Sequence, residues 1–206
     1  LSEQVDLSRQ SLPFMSFCEG RVAGIPARLA RISFSGELAY EISVAADFGL
    51  SLWQAVIDAG ARYNLTPYGT ETMHVLRAEK GYIIAGQDTD GSVTALDLGM
   101  DWIVSKKKDF IGKRSLFRSD TARHGRKQLV GLATQDPSVV LPEGAQLVNE
   151  ISDVRPLPMV GHVTSSYFSA NLGRSIALAL VKGGRSRLGG TVYAPLIDGR
   201  VVQARI

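Results

Sequence analysis

The sequence has 206 residues, 45% of them hydrophobic and 21% charged, which excludes a disordered or fibrous protein. Its net charge of +3 is a mild bias without the broad basic stripe of a nucleic-acid-binding protein. No apolar run approaches the roughly 20 residues needed to span a bilayer. The start, Leu1-Ser2-Glu3-Gln4, lacks an initiator methionine and signal-peptide features, so we expect a part of a larger protein.

The first half of the chain predicts mixed α and β structure. Residues 28–34 and 38–44 alternate in polarity around Ser35-Gly36, which indicates a β-hairpin with Glu37 beside its turn. Asp47 is predicted to cap a helix through Ala59, with Gly60 as its end. The expected apolar stripe of this helix consists of Leu50, Trp53, Val56 and Ile57.

A second helix is predicted from Thr70 to Lys80, with Gly81 as its end. Residues 82–112 are rich in loop-forming residues, a short helix is expected over 113–118, and residues 120–127 are expected to form a linker. The triple lysine at 106–108 is interpreted as a solvated surface loop.

The pattern changes after the linker. Short strands separated by Gly, Pro and Asn indicate a small β-barrel or sandwich, and the domain boundary is therefore placed near residue 125. The predicted domains are 1–125 and 126–206. The predicted strands are 129–133, 146–148, 160–165, 175–181 and 190–194.

The chain carries few candidates for metal or nucleotide chemistry. Its single cysteine, Cys18, excludes a disulfide framework, is interpreted as a small core residue and favours a reducing, cytoplasmic location. The three histidines lack metal-ligand spacing, and Asp88-Thr89-Asp90-Gly91 lacks the Gly and Glu that a calcium loop requires later. No Gly-x-Gly-x-x-Gly or Walker motif is present. We therefore expect no metal site, no nucleic acid and no membrane partner.

Three segments, Arg31–Ile42, Leu76–Gly81 and Gly161–Ser166, carry a resemblance to a known family. They read Arg-Ile-Ser-Phe-Ser-Gly-Glu-Leu-Ala-Tyr-Glu-Ile, Leu-Arg-Ala-Glu-Lys-Gly and Gly-His-Val-Thr-Ser-Ser. In this order they resemble motifs of the aminomethyltransferases, the T-proteins of the glycine cleavage system. Within that family, the runs 76–91 and 101–115 look most like the α subunits of heterotetrameric sarcosine oxidases.

The resemblance implies a fold in two parts. A ferredoxin-like or mixed α+β portion that binds folate comes first, and a small C-terminal β-barrel of Greek-key or jelly-roll type follows it. It also implies an activity in the intact oxidoreductase. Sarcosine would be demethylated oxidatively to glycine, and tetrahydrofolate would capture the one-carbon unit as 5,10-methylenetetrahydrofolate. FAD, NAD and FMN are implied for the rest of that enzyme, and the partners would be its β, γ and δ subunits.

Site residues follow from chemistry and resemblance together. The two oxygens of an ionised carboxylate match the two near-parallel N–H donors on a pterin edge, and Glu37 stands where the family has a folate-binding Glu. The family's counterpart of Arg77 is a substrate-site residue; the alternatives are a pair with Glu71 or Glu79, or solvent exposure. Phe34 and Tyr40 are candidates to stack on folate, with core packing as the alternative for each.

The chain also departs from the family pattern. The resemblance places the catalytic aspartate before Leu1, so no catalytic residue is expected here and the chain alone is expected to be inactive. An arginine of aminomethyltransferases is replaced around Leu141-Pro142-Glu143. Two alternative functions stay open: a stand-alone aminomethyltransferase, and a non-catalytic module that binds folate or contacts another subunit.

Overall fold

The computed structural model describes residues 5–153 and 155–206, and the chain forms two compact units, 1–74 and 75–206. Within the second unit the barrel strands begin at Lys127. The domain boundary near residue 125 stays a prediction. Among the described residues, no helix combines the length and apolar character needed to cross a membrane.

The first unit contains a three-stranded antiparallel sheet of β1 (Phe17–Val22), β2 (Ile25–Ala30) and β3 (Glu41–Ser43). The predicted pairing of residues 28–34 with 38–44 is confirmed in register, since Arg28 lies opposite Ser43. The two paired strands, β2 and β3, are shorter than predicted. Residues 31–40 between them form an open connection in which Gly36 has φ +80°. The β1–β2 hairpin, which turns at Ala23-Gly24, was not predicted.

One helix, α1 (Gly49–Gly60), follows the sheet, and two details of its prediction are wrong. Asp47 is not its cap, because it lies within a preceding 3₁₀ turn, Ala46–Phe48, and makes no capping hydrogen bond. Gly60 does not end the helical path, which continues as a 3₁₀ turn until Asn64 takes a left-handed conformation. Gly60 is instead a site of close approach, since a Cβ there would lie 2.5 Å from Leu65 Cδ1.

The predicted apolar stripe of α1 is also partly wrong. Leu52 is the side chain that α1 buries, with Val56 packed beside it, against Val22 and Leu29 of the sheet. Leu50 and Trp53 remain exposed. A short helix places apolar residues on more than one face, and periodicity alone does not decide which face meets the sheet.

Helix α2 (Thr70–Glu79) ends as predicted, at Gly81 with φ +73°. The Gly81 N–H donates to the Ala78 carbonyl and the Tyr82 N–H donates to the Arg77 carbonyl, which is a Schellman motif. The following residues form loops, as predicted, with 3₁₀ turns at Asp101–Ile103 and Lys113–Phe117 and a short helix, α3 (Ser119–Ala122).

A closed antiparallel barrel occupies the rest of the second unit, so the predicted barrel is confirmed. Its strand order is β4-β7-β6-β5-β8-β9. Five of the six strands were predicted, one with the same ends as in the structure and four with shifted ends, whereas β9 was not predicted. The strands are β4 (Lys127–Thr134), β5 (Gln146–Val148), β6 (Met159–Ser169), β7 (Arg174–Lys182), β8 (Thr191–Pro195) and β9 (Val201–Arg205).

The barrel interior is aliphatic because alternate residues of each strand point inward. Val130 and Leu132 of β4 and Ala177, Ala179 and Val181 of β7 all belong to this core. Close packing of β6 on β7 depends on Gly161, where a Cβ would lie 2.3 Å from the Leu180 carbonyl oxygen. Gly131, in β4, has open space around the corresponding position.

We predict that Gly161→Ala lowers the free energy of unfolding by about 1–3 kcal/mol, because the added methyl group overpacks against backbone that cannot move aside. The matched control is Gly131→Ala, which we expect to be neutral or slightly stabilising, since alanine restricts the unfolded chain more than glycine does. Urea unfolding followed by far-UV circular dichroism measures both. Equal stability of the two variants would contradict the prediction.

Candidate functional site

The connection between β2 and β3, residues 31–40, carries three of the four predicted site residues. Glu37 is exposed, Phe34 is 45% exposed, and Tyr40 is half-buried. The Tyr40 hydroxyl donates to the Leu7 carbonyl at 3.3 Å. Because both ends of the connection are fixed by the β2–β3 pairing, these three side chains are held on one short loop.

The start of the same loop is anchored by hydrogen bonds. The Arg31 N–H donates to the Ser16 carbonyl, and the Arg31 guanidinium donates to the Leu12 carbonyl at 3.2 Å. Ser35 is buried, whereas the buried hydroxyl of Ser33 has no hydrogen-bond partner within the part of the chain that the structure describes. The loop therefore presents a carboxylate and an aromatic ring outward, and it leaves one hydroxyl with unused hydrogen-bonding capacity.

Arg77, the fourth predicted residue, lies in the second unit and its side chain is fully buried. Its Nη1 donates to an Asp88 carboxylate oxygen at 2.5 Å and to the Tyr82 carbonyl at 3.0 Å. Its Nη2 donates to the Ser165 hydroxyl at 2.8 Å and to the Tyr167 hydroxyl at 3.3 Å. Its Nε has no hydrogen-bond partner among the residues that the structure describes.

Asp88 is likewise fully buried and is surrounded by donors. One oxygen accepts from Arg77 and from the Ile84 N–H at 2.9 Å, and the other accepts from the Thr164 and Ser165 hydroxyls at 2.6 Å. Burial alone raises the pKa of this carboxyl, but these hydrogen bonds and the Arg77 charge together lower the pKa below its usual range.

The alternatives predicted for Arg77 from the sequence, an ion pair with Glu71 or Glu79 or exposure to solvent, are wrong. Its ionic partner is neither Glu71 nor Glu79, and Glu79 instead accepts hydrogen bonds from Ser169 at 2.5 Å and Asn171 at 2.9 Å. Asp88 was missed as a partner, although the Schellman end of α2 signals a chain reversal that returns the next residues toward Arg77. The role of Arg77 in folate binding stays a prediction.

The same contacts join two of the segments that carry the family resemblance. Arg77 comes from Leu76–Gly81, whereas Thr164 and Ser165 come from Gly161–Ser166. The two segments meet at Asp88 inside the second unit. These motif residues therefore build a buried ionic network, while Glu37 belongs to an exposed loop of the first unit.

Other polar groups lie near this network. Gln87 donates at 2.9 Å to Glu143, a residue of the segment 141–143 around which the family's arginine is expected to be replaced. Lys127 Nζ lies 3.3 Å from His162 Nδ1. Burial lowers the pKa of His162, and the Lys127 charge lowers it further, against the opposing effect of Asp90.

Across residues 5–153 and 155–206, no group of three or more His, Cys, Asp and Glu side chains is arranged to hold a metal ion.

We predict that Asp88→Asn destabilises the protein by about 3–5 kcal/mol at pH 7, because it leaves the Arg77 charge buried without a counter-ion. The matched control is Asp90→Asn, an exposed carboxylate on the same loop, for which we expect a much smaller loss. Urea unfolding of both variants measures the difference. Similar losses for the two would contradict a special role of Asp88.

The same pair predicts a pH dependence. A carboxyl whose pKa is lowered by folding stabilises the native state at every pH above its unfolded pKa of about 3.9, and this contribution disappears as the pH falls through the folded pKa. We therefore expect the stability gap between wild type and Asp88→Asn to be constant near neutrality and to shrink below about pH 4. A gap that widens in acid would contradict this assignment.

Comparison with known proteins places these features in context. The chain is 51% identical over 209 residues to "Sarcosine oxidase subunit alpha" of Corynebacterium sp. (strain U-96). The matched region covers 100% of this chain and 22% of that subunit. It is 30% identical to "Aminomethyltransferase" of Thermotoga petrophila, over 100% of this chain and 54% of that protein. The chain thus spans about a fifth of the sarcosine oxidase subunit it matches.

A solved structure shows the same fold. The aminomethyltransferase T of the glycine cleavage system from Bartonella henselae superimposes with a TM-score of 0.78 at 22% identity, over 96% of this chain and 52% of that one. The predicted fold class is therefore confirmed. Two family models also match: the GCVT N-terminal domain over residues 1–108 and the glycine cleavage T-protein C-terminal barrel domain over residues 127–206. This chain belongs to the glycine cleavage T-protein family.

Proposed function

We propose that this chain is the aminomethyltransferase-like part of a sarcosine oxidase α subunit and that it binds tetrahydrofolate there. The observation that carries the proposal is Glu37, an exposed carboxylate on a loop whose ends are paired in a sheet. The 51% identity to a sarcosine oxidase α subunit over the whole chain supports the choice of enzyme.

Glu37 would anchor the pterin. A carboxylate accepts two near-parallel hydrogen bonds, and the pterin edge offers an exocyclic amine and a ring N–H at matching spacing. Such a bidentate, charge-assisted contact fixes the orientation of the ring as well as its position. Orientation matters because the amine of folate is itself the nucleophile, so that the protein's task is chiefly to position it and to handle protons.

Neighbouring side chains of the loop suit the same ligand. The exposed ring of Phe34 is available for stacking on the pterin or on the aminobenzoyl ring, and Tyr40 presents a second, half-buried ring. These features support a folate site that uses Phe34, Glu37 and Tyr40.

For Arg77 we propose a positioning role in folate binding. Its burial and its pairing with Asp88 favour an effect exerted through the shape of the second unit over direct contact with the ligand. The positive charge of Arg77 is offset locally by Asp88.

In the intact enzyme the reaction would proceed as follows. The amine of sarcosine would be oxidised to an imine, and the two electrons would pass to a flavin bound elsewhere in the enzyme. Tetrahydrofolate then attacks the methylene carbon, glycine leaves, and 5,10-methylenetetrahydrofolate forms in place of the formaldehyde that water would release.

We assign FAD, NAD and FMN to other parts of a heterotetramer with β, γ and δ subunits. A cytoplasmic location is proposed from the single cysteine.

A stand-alone aminomethyltransferase is the second candidate, favoured by the 30% identity to the Thermotoga petrophila enzyme over the whole chain. It would need no flavin-bearing partner. Purification of the longer protein that carries this chain separates the two candidates. Stoichiometric co-purification of flavin-containing subunits is expected under our proposal, and a colourless, active monomer would favour the second candidate.

We predict that Glu37→Gln weakens folinic acid binding by the longer protein about tenfold or more, because the substitution removes the charge and one of two acceptor oxygens. Isothermal titration calorimetry measures the dissociation constant. The reaction's coupling to folate should fall in parallel, with more free formaldehyde released per sarcosine oxidised.

Glu41→Gln is the matched control, since Glu41 is an exposed carboxylate at the other end of the same connection. We expect it to bind folinic acid as the wild type does. Equal dissociation constants for Glu37→Gln and Glu41→Gln would remove Glu37 from the proposed site. Thermal melts of both variants check that the fold is retained.

A further inference from the structure

The hydrogen-bonded ladder between β4 and β7 stops before the two strands themselves end. Its last residue pair is Leu132 with Ala177, and each strand extends at least two residues further. Beyond that pair, the Arg174 guanidinium donates to the Thr134 carbonyl at 2.6 Å. The two strands therefore stay side by side at this end of the barrel, here called the β4–β7 seam, with a side chain in place of main-chain pairing.

Two hydroxyl side chains point into the barrel interior at this seam. Thr134 lies opposite Ala204 of β9, and opposite residues of antiparallel strands share a face, so Thr134 faces the core to which Ala204 belongs. Ser175 precedes the core residue Ala177 by two positions and shares its inward face. Thr134 is 1% exposed and Ser175 is 0% exposed.

Neither hydroxyl has a hydrogen-bond partner in the part of the chain that the structure describes. A buried hydroxyl without a partner costs free energy, and folded proteins satisfy most such groups with protein atoms or with ordered water. Thr134 and Ser175 do not bond each other, although their strands lie side by side. A water molecule bridges such a pair because it both donates and accepts hydrogen bonds.

The seam is enclosed by residues of this chain itself. The loop after β4 passes over it, since the Ser175 N–H donates to the Pro137 carbonyl at 2.7 Å. Val139 of the same loop packs against the barrel core, and Leu141 is buried in that core. The burial of the two hydroxyls therefore does not depend on any further domain or subunit.

The surroundings of the two hydroxyls favour a small neutral occupant. Their neighbours on the interior face are alanines, Ala177 and Ala204, which take up little space. Arg174 alternates with Ser175 along β7, so its charged side chain leaves the strand on the outer face. An ion inside the barrel would lack a charged partner on that face, and burying it would be costly.

We propose that Thr134 and Ser175 hold a buried water molecule that bridges β4 and β7 where their ladder ends. The two hydroxyls supply two of the roughly three hydrogen bonds that a buried water molecule typically makes. This water would close the seam from inside, as Arg174 does from outside. The proposal concerns the barrel alone and does not depend on whether the chain binds folate.

Isosteric removal of each hydroxyl tests the proposal by the sign of its effect. The variants are Thr134→Val, Ser175→Ala and the double variant, made in the longer protein that carries this chain. Hydrogen–deuterium exchange with mass spectrometry follows the amides of β4 and β7, which report local opening of the barrel. If water satisfies both hydroxyls, each single variant loses hydrogen bonds, and we expect these amides to exchange about tenfold faster.

The double variant measures the coupling through the shared water. We expect it to exchange about as fast as either single variant, because the first substitution already removes the bridge. The matched control is Thr191→Val, which removes the hydroxyl of a half-buried threonine in β8 of the same barrel. It should exchange as the wild type does. Independent effects that multiply in the double variant would overturn the proposal.

Unchanged or slower exchange in the single variants would also overturn it, since removing a hydroxyl that truly lacks a partner is neutral or stabilising. A crystal structure at a resolution that shows ordered water provides the direct observation. We expect a density peak within hydrogen-bonding distance of both hydroxyl oxygens in the wild type and none there in the double variant. A direct hydrogen bond between Thr134 and Ser175, without such a peak, would contradict the proposal even if the exchange rates are coupled.

Discussion

The buried ion pair between Arg77 and Asp88 is the interaction on which the second unit depends. Both side chains are inaccessible to solvent, so each charge requires the other, and hydroxyl and backbone donors satisfy the remaining oxygens. The pair joins the end of helix α2 to strand β6 of the barrel. The long, mostly irregular region that follows α2 is thereby fixed near its start, where Asp88 lies.

This arrangement separates the family motifs by physical role. Residues of Leu76–Gly81 and Gly161–Ser166 are used inside the protein, where their polar groups satisfy one another. Arg31–Ile42 instead supplies an open, anchored loop in which Glu37 and Phe34 are exposed. Similarity in all three segments therefore does not mean that all three contact a ligand, and the proposed folate contacts are concentrated on the loop.

Much of the fold was predictable from the sequence because its causes are local. Short strands separated by Gly, Pro and Asn located five of the six barrel strands, alternating polarity indicated the register of β2 with β3, and Gly81 located the end of α2. The motifs of Arg31–Ile42, Leu76–Gly81 and Gly161–Ser166 indicated the family. Of the site, the sequence indicated which residue types suit folate, but their roles stay predictions.

The sequence by itself thus determined helices α1 and α2, the pairing of β2 with β3, most of the barrel strands and the family, since periodicity, turn residues and short motifs each depend on a few neighbouring residues. Only the tertiary structure decided that Asp88 neutralises Arg77, that Gly60 makes room for Leu65, and that α1 buries Leu52 while Trp53 stays exposed. Each of these depends on which surfaces come together after the chain folds back, and that choice is made by packing between residues that local patterns do not connect.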